Sequence, residues 1–213
     1  MALNVKPPSN AVVLFDGKNL DSFTAQDGKP AGWDVKDGIT TVKPRTGSIV
    51  SKEKFSDQYL HLEFRLPDMP DAKGQAKANS GVYLQGRYEV QVLDSFGWKV
   101  PGTGDCAALY NMHAPLLNAS KAAMEWQSYD IAFRAPRFDK NGNKVEDARI
   151  TVFFNDMVVQ NNVIVPKPTG GELDSKFAEP GPLMLQDHGD LVSYRNVWIV
   201  RLPEKGSDEY DPS

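Results

Sequence analysis

Tyr59-Leu60-His61-Leu62-Glu63-Phe64-Arg65-Leu66 is the stretch that decides the fold. Leu60, Leu62, Phe64 and Leu66 fall on one side, and His61, Glu63 and Arg65 on the other. A period of two places successive residues on opposite faces of a pleated strand. The segment therefore reads as an antiparallel strand with one face in a core. The same period returns downstream. Over 80–85, Ser80, Val82 and Leu84 alternate with Gly81, Tyr83 and Gln85. Over 88–93, Tyr88, Val90 and Val92 alternate with Glu89, Gln91 and Leu93. Gly86-Arg87 joins these two runs as a tight connection, so the pair reads as a hairpin. Tyr129, Ile131 and Phe133 alternate with Ser128, Asp130 and Ala132. Segments 149–154 and 157–160 flank Asn155-Asp156 as a second hairpin, and Asp139-Lys140-Asn141-Gly142 reads as a turn. Segment 183–188 sets Leu183, Leu185 and Asp187 against Met184, Gln186 and His188. The last strand covers 192–202, with Val197 and Ile199 facing inward.

Strands spaced in this way, punctuated by 17 Gly and 15 Pro, predict an all-β chain. The expected architecture is a two-sheet antiparallel jelly-roll sandwich. Its core is expected to hold Leu60, Leu62, Phe64, Val82, Leu84, Val90, Val92, Ile131, Phe133, Leu183, Leu185, Val197 and Ile199. The helical candidate is a short one, Asn118–Met124. No composition shift divides the chain, so residues 12–203 read as a single domain, with 1–11 and 204–213 as terminal tails.

Composition narrows the function. The 213 residues carry 24 Lys and Arg against 28 Asp and Glu, a net charge of −4. With no basic stripe, a nucleic-acid partner is not expected. No apolar run approaches the ~20 residues a membrane span needs. One Cys, Cys106, leaves no intramolecular disulfide and no Cys-rich metal site. Met1–Pro8 lacks the regions of a signal peptide, so a periplasmic or extracellular address requires a leader already removed. Oligomeric state is not readable here.

Phosphate loops, dinucleotide fingerprints, nucleophile elbows and H-E-x-x-H pairs are all absent from the sequence. The polar faces carry a different signal. Gln85, Glu89, Gln91, Gln186 and His188 are mostly uncharged hydrogen-bonding groups, and the aromatics Tyr83, Phe96 and Trp98 flank them. Amides, a carboxylate and flat rings are the groups a sugar-binding groove uses. Glycosidases of the two-carboxylate kind hold their acids about 5–10 Å apart. Here Glu89-Val90-Gln91-Val92-Leu93-Asp94 replaces the central acid with an amide, and Glu89 and Asp94 differ in parity. Glu89 with His188 is the better acid–base pair.

Leu14-Phe15-Asp16-Gly17-Lys18-Asn19-Leu20 resembles the opening motif of the 3-keto-disaccharide hydrolase domain family. Further likenesses follow in order: Gly32-Trp33 to Asp37-Gly38, Phe55 to Leu66, Asn79-Ser80-Gly81-Val82, and Tyr88-Glu89-Val90-Gln91-Val92-Leu93-Asp94. Glu125-Trp126-Gln127 departs from the family pattern at Gln127, and Leu185-Gln186-Asp187-His188-Gly189 leads to Tyr194-Arg195-Asn196-Val197. The resemblance runs from about residue 12 to 203. It implies a concanavalin-like jelly roll, a secreted or periplasmic address and action on 3-keto sugars.

The chemistry of a 3-keto sugar and the parity of the polar residues together assign the roles. Glu89 and His188 are the expected catalytic residues of a hydrolase or lyase that removes the C2 proton of a 3-keto-glycoside and expels the C1 substituent. Glu63, Arg65, Asn79, Gln91, Trp126 and Gln186 are the expected substrate-binding residues, with Glu63 and Arg65 on the cleft floor and Trp126 a stacking platform. The enolate oxygen is expected on Arg65 or on a divalent metal ion; His188 and Glu89 would ligate such an ion. The long loop 95–124, with Tyr110 and His113, is a candidate lid or groove wall. His61 is expected to be solvated, and Trp33 to be core. Two other readings remain open at this point: a non-catalytic glycan-binding module, and a structural sandwich whose concave face packs on a partner.

Overall fold

The computed structural model describes residues 3–204. Its strands are β1 (Val12–Phe15), β2 (Phe23–Ala25), β3 (Asp34–Lys36), β4 (Ile39–Thr41), β5 (Ile49–Phe55), β6 (Gln58–Arg65), β7 (Ser80–Leu84) and β8 (Tyr88–Val92). They continue as β9 (Trp126–Arg134), β10 (Arg137–Phe138), β11 (Lys144–Glu146), β12 (Ala148–Phe154), β13 (Met157–Val165), β14 (Gly181–Leu185) and β15 (Ser193–Arg201). One sheet runs β13-β12-β9-β6-β15-β4-β3, with β1 also paired to β15, and the other runs β2-β5-β14-β7-β8. The short β10-β11 ribbon stands apart. Every pairing between these strands is antiparallel. The fold is the expected all-β jelly-roll sandwich.

The core follows the period-two pattern. Leu60, Leu62, Phe64 and Leu66 from β6 and its end are fully buried, and so are Val82, Leu84, Val90 and Val92 from the β7–β8 hairpin. The other core residues expected from the alternation are buried as well, and Trp33 joins them. Burying such a face contributes roughly 25 cal/mol per Å² of apolar surface, which is the main force holding two sheets together.

Turns and bulges set the details. Asn155 and Asp156 both have positive φ (50° and 68°), as a two-residue hairpin with the right-handed strand twist requires. In β15 the alternation breaks: Tyr194, Val197 and Ile199 are all buried, although 194 and 197 differ in parity. The register against β6 shifts between Arg195 and Trp198, and Asn196 sits at φ 48°. This bulge turns Arg195 and Asn196 outward together.

Three expectations are corrected. The helix at Asn118–Met124 does not form. Those residues are bends and turns, and among the described residues the helical element is the 3-10 turn Gly74–Ala76. The 183–188 strand ends at Leu185, so Gln186, Asp187 and His188 belong to a loop. His61 is fully buried, not solvated. The expected tail 1–11 is partly in contact with the domain: the Asn4 amide donates to Glu63 at 2.5 Å and the Val5 carbonyl accepts from Asn196 at 2.9 Å. Of the tail 204–213, all but Glu204 lies outside the described residues. No helix among the described residues is long and apolar enough to cross a membrane.

Candidate functional site

The outer face of the β7–β8 hairpin bears the site. Tyr83 pairs with Glu89 and Gly81 with Gln91, so these four residues share the face turned away from the core. Gly81 makes space: a Cβ there would meet Glu89 Oε1 at 2.3 Å and Tyr83 Cε2 at 2.8 Å, and the carboxyl would have to move. The absent side chain leaves room for the Glu89 carboxyl to fold down beside the sheet. Glu89 is only 3% exposed.

β8 is the last strand of its sheet, and two loops use up its free edge. The Ala107 amide donates to the Gln91 carbonyl at 2.9 Å, and the Gln91 amide donates to the Ala108 carbonyl at 3.0 Å. The Tyr110 amide donates to the Glu89 carbonyl at 3.3 Å. The Thr169 hydroxyl accepts from the Glu89 amide at 2.8 Å. Two walls of a cleft are thereby fixed on one strand. Tyr110 and Asn111 come from the first loop, and Thr169, Gly170 and Gly171 from the second.

A third wall comes from the loop after β14. The Ser80 hydroxyl donates to the Gln186 carbonyl at 2.6 Å, and the Gln186 amide donates to the Gly81 carbonyl at 3.0 Å. Asp187 accepts from the Gly47 amide at 3.0 Å, and Asp190 accepts from the Asn79 amide at 2.7 Å. These two carboxylates pin the loop on both sides of His188. The fourth wall is an amide cluster. Gln91 Nε2 donates to Gln75 Oε1 at 3.0 Å, Asn79 Nδ2 to the Gln75 carbonyl at 2.7 Å, and Gln75 Nε2 to the Gly104 carbonyl at 2.7 Å.

The half-open cleft measures about 250 Å³, and Glu89 and His188 both line it. Glu89 is its one lining carboxylate, and no Lys or Arg lines it. Burial pushes the Glu89 carboxyl up to about 7, and a hydrogen bond from the Tyr83 hydroxyl only partly offsets that rise. Gln186 Nε2 donates to the Tyr83 hydroxyl at 3.2 Å. Burial and the Glu89 charge both raise the Tyr83 phenol, which stays a neutral donor. A larger open hollow of about 580 Å³ near β2 and β3 contains no imidazole and no buried carboxylate.

The structure thus brings Glu89, His188, Asn79, Gln91 and Gln186 around one cleft. It does not bring Glu63, Arg65 or Trp126 there. Their strands β6 and β9 belong to the other sheet, so the expected cleft floor of Glu63 and Arg65 and the Trp126 platform are corrected. Alternation along a strand assigns a face, but not the sheet that owns the face. On the outer side of the eight-stranded sheet, Glu63 accepts from Arg195 Nε at 2.7 Å, from Asn196 Nδ2 at 3.0 Å and from the Asn4 amide. His61 Nδ1 lies 2.7 Å from Asp130 and stacks on Trp198 at 4.9 Å. The Arg195 and Arg65 guanidinia lie 4.1 and 5.0 Å from the Trp126 ring centre. Arg65 is therefore also corrected as holder of an enolate oxygen in the cleft. His113 is exposed and does not line the cleft, whereas Tyr110 does.

Sequence reasoning missed Gln75, Asn111 and Thr169. They arrive on a turn and two loops, which have no periodic signal. Gly81 could have been found: a glycine inside a strand marks a close approach, here by the Glu89 carboxyl. His188 and Glu89, expected to ligate a divalent ion, are joined by no third His, Cys, Asp or Glu in the cleft lining. Among the described residues no group of three such side chains gathers anywhere. Two protein ligands fall short of the three that usual catalytic metal sites supply.

Known proteins give the site its context. No curated protein matches the chain. The chain is similar to a candidate glycosyl hydrolase from Parabacteroides distasonis of known crystal structure. The two are 38% identical over 92% of this chain and 85% of that one, with a TM-score of 0.84. A second candidate glycosyl hydrolase from the same organism is 20% identical over 91% of this chain and 94% of that one, at a TM-score of 0.65. An alginate lyase is 9% identical over 92% of this chain and 99% of that one, at 0.51. These last two likenesses concern the fold alone. The family model described as the 3-keto-alpha-glucoside-1,2-lyase-like domain matches residues 10–200, which spans both sheets and every wall of the cleft. The chain belongs to that family of carbohydrate-active domains.

Proposed function

We propose that this protein cleaves 3-keto-glycosides by removing the C2 proton and eliminating the C1 substituent. One observation carries the reading. A single buried carboxyl, raised to about 7, faces a cleft lined otherwise by amides, hydroxyls and one imidazole. A route through an oxocarbenium ion uses two carboxyl groups, and the lining supplies one. One base is enough when a ketone at C3 acidifies the C2 proton.

In the proposed reaction the Glu89 carboxylate takes the C2 proton, and the C–H electron pair forms the enolate of the C3 ketone. The second N–H of the Gln186 side-chain amide and the imidazole of His188 are the lining donors suited to the enolate oxygen, because the Asn79 and Gln91 amides already donate to Gln75 and Gly104. The enolate collapses to restore the C3 carbonyl, a C1=C2 double bond forms, and the C1–O bond breaks. The leaving oxygen takes a proton from His188. Water addition across the C1=C2 bond completes net hydrolysis. A base with a pKa near the working pH combines the ionised form with useful proton affinity. A periplasmic or extracellular setting remains part of the proposal, on the family resemblance alone.

The test is turnover of a matched pair. The purified protein is expected to cleave a 3-keto-glycoside and to leave the parent glycoside intact, with solvent deuterium entering C2. Equal turnover of both would overturn the elimination. Binding of sugar without turnover of either would make the cleft a glycan-binding site. Loss of activity in a strong chelator, restored by one divalent ion, would add a metal on Glu89 and His188 with substrate oxygens completing its shell.

A further inference from the structure

The cleft is small for a glycoside. At about 250 Å³ it lies below the ~300–1,000 Å³ of pockets that enclose drug-sized ligands. It suits one sugar ring. The second ring of a disaccharide must lie outside, against the rim.

The loop 95–105 abuts one wall of the cleft at its Thr103–Gly104 end. Its Gly104 carbonyl accepts from Gln75 Nε2 at 2.7 Å and from Gln91 Nε2 at 3.4 Å, both cleft-lining residues. Its Thr103 carbonyl accepts from the amide of Asn111, also in the lining, at 2.9 Å. The same loop holds Phe96 and Trp98 outward, each 57% exposed, beside Val100 at 83%. The loop is well tied. Asn118 Nδ2 donates to the Ser95 carbonyl at 2.7 Å and to the Trp98 carbonyl at 2.9 Å. Asp94 accepts from the Phe96 amide at 3.2 Å, and Asp105 accepts from the Gly102 amide at 2.5 Å. Large aromatics are normally buried, and neighbouring exposed ones mark a binding surface. A ring fixed in place stacks on the apolar C–H face of a sugar with little side-chain entropy to lose.

We propose that Phe96 and Trp98 form a stacking platform for the leaving half of the substrate, a neutral glycosyl or aryl aglycone. The inference rests on the reading of the cleft as a 3-keto-glycoside site. It assigns the selection of the aglycone to this loop, and the chemistry to Glu89 and His188.

Steady-state kinetics with two substrates test it. One is a methyl 3-keto-glucoside, too short to reach the loop; the other is a 3-keto-disaccharide. Trp98→Ala is expected to raise KM for the disaccharide about tenfold, the worth of one good aromatic contact, and to leave KM for the methyl glycoside unchanged. kcat should change for neither. Trp98→Phe should recover most of the disaccharide KM, which separates stacking from misfolding. An equal change on both substrates, or on neither, would overturn the platform while leaving the cleft reading intact. Failure of the unaltered protein to cleave the methyl glycoside would instead sink the cleft reading. Iodide quenching of tryptophan fluorescence then decides the platform. Protection by an ordinary disaccharide, lost in Trp98→Ala, would support it, and no protection would end it.

Discussion

Glu63 and Glu89 are both buried glutamates on the outer faces of strands, one on each sheet, yet their surroundings push them in opposite directions. Burial alone would raise both carboxyls. At Glu63 that effect is outweighed by the His61 imidazole 3.7 Å away and by hydrogen bonds from Asn196, Arg195 and the Asn4 amide, and the carboxyl falls to about 2. At Glu89 the Tyr83 phenol is the one side-chain donor offsetting burial, and the carboxyl rises to about 7. The first group is spent on holding strands β6 and β15 and the chain start together. The second is held ready to take up a proton. The number of donors around a buried acid, more than its burial, separates a structural role from a chemical one.

The sharpest way to break this contrast is to neutralise each acid in turn. Glu89→Gln keeps shape and removes the base, so kcat on a 3-keto-glycoside is expected to fall by roughly 10²–10⁴, with circular dichroism unchanged. His188→Ala is expected to fall in the same range, as the loss of a positioned acid. In the unaltered protein, kcat/KM should decline as pH falls through about 7, because Glu89 is the base only when ionised. A flat profile from pH 5 to 9 would remove Glu89 from that role.

Glu63→Ala is expected to act on stability. It leaves the partly buried Arg195 without its carboxylate and takes from the fully buried His61 the more distant of its two acids, Asp130 remaining. Breaking one side of a buried pair costs about 3–5 kcal/mol, readable as a lower midpoint in urea unfolding. Turnover per folded molecule should be retained. A midpoint within error of the unaltered protein would show that the two glutamates are not opposites after all.

A smaller effect follows from linkage. Because the folded-state pKa of Glu89 lies above its unfolded value, stability is lost as pH rises from about 4.5 through about 7. Glu89→Gln removes that loss, so it should unfold at a higher temperature than the unaltered protein at pH 8, by at most a few kcal/mol of stability, and should differ little at pH 4. For Glu63, whose folded pKa is lowered, the stabilisation is present above about 4.5 and disappears only as pH falls toward 2. Thermal melts across pH check both signs.

The smallest effect belongs to Arg65→Ala. Arg65 lies over Trp126 on the sheet opposite the cleft, and such a contact at an accessible site is worth about 0.5–1 kcal/mol. Turnover should be unchanged. A large loss of kcat would contradict the separation of the two faces.

Arg65 also marks where the sequence stops being legible. The alternation over 59–66 gave the inward set Leu60, Leu62, Phe64 and Leu66 correctly, and the one over 88–93 gave the outward pair Glu89 and Gln91. Parity is local, so a single strand carries it. Ownership of a face depends on pairings such as Leu62 with Tyr129 and Leu84 with Tyr88, and the first of these spans more than sixty residues. The polar faces of β6 and β8 look alike in sequence, although they belong to different sheets. The β15 bulge is invisible for the same reason: nothing in Tyr194-Arg195-Asn196-Val197 announces a register shift, although Asn tolerates the positive φ it needs. Gln75 and Thr169 reach the cleft through turn and loop geometry, which hydropathy does not encode.

One consequence of the covered β8 edge concerns change over generations. Two of the cleft walls hang on that edge through backbone amides and carbonyls and one threonine hydroxyl. Apart from the Thr169 hydroxyl, such contacts do not depend on which side chains the loops display. Side-chain replacements in segments 110–113 or 170–173 can therefore remodel the opening while the strand and its glutamate stay where they are. The scaffold and the selectivity of this protein can be inherited separately, so diversity of substrates within one such lineage would require no new core.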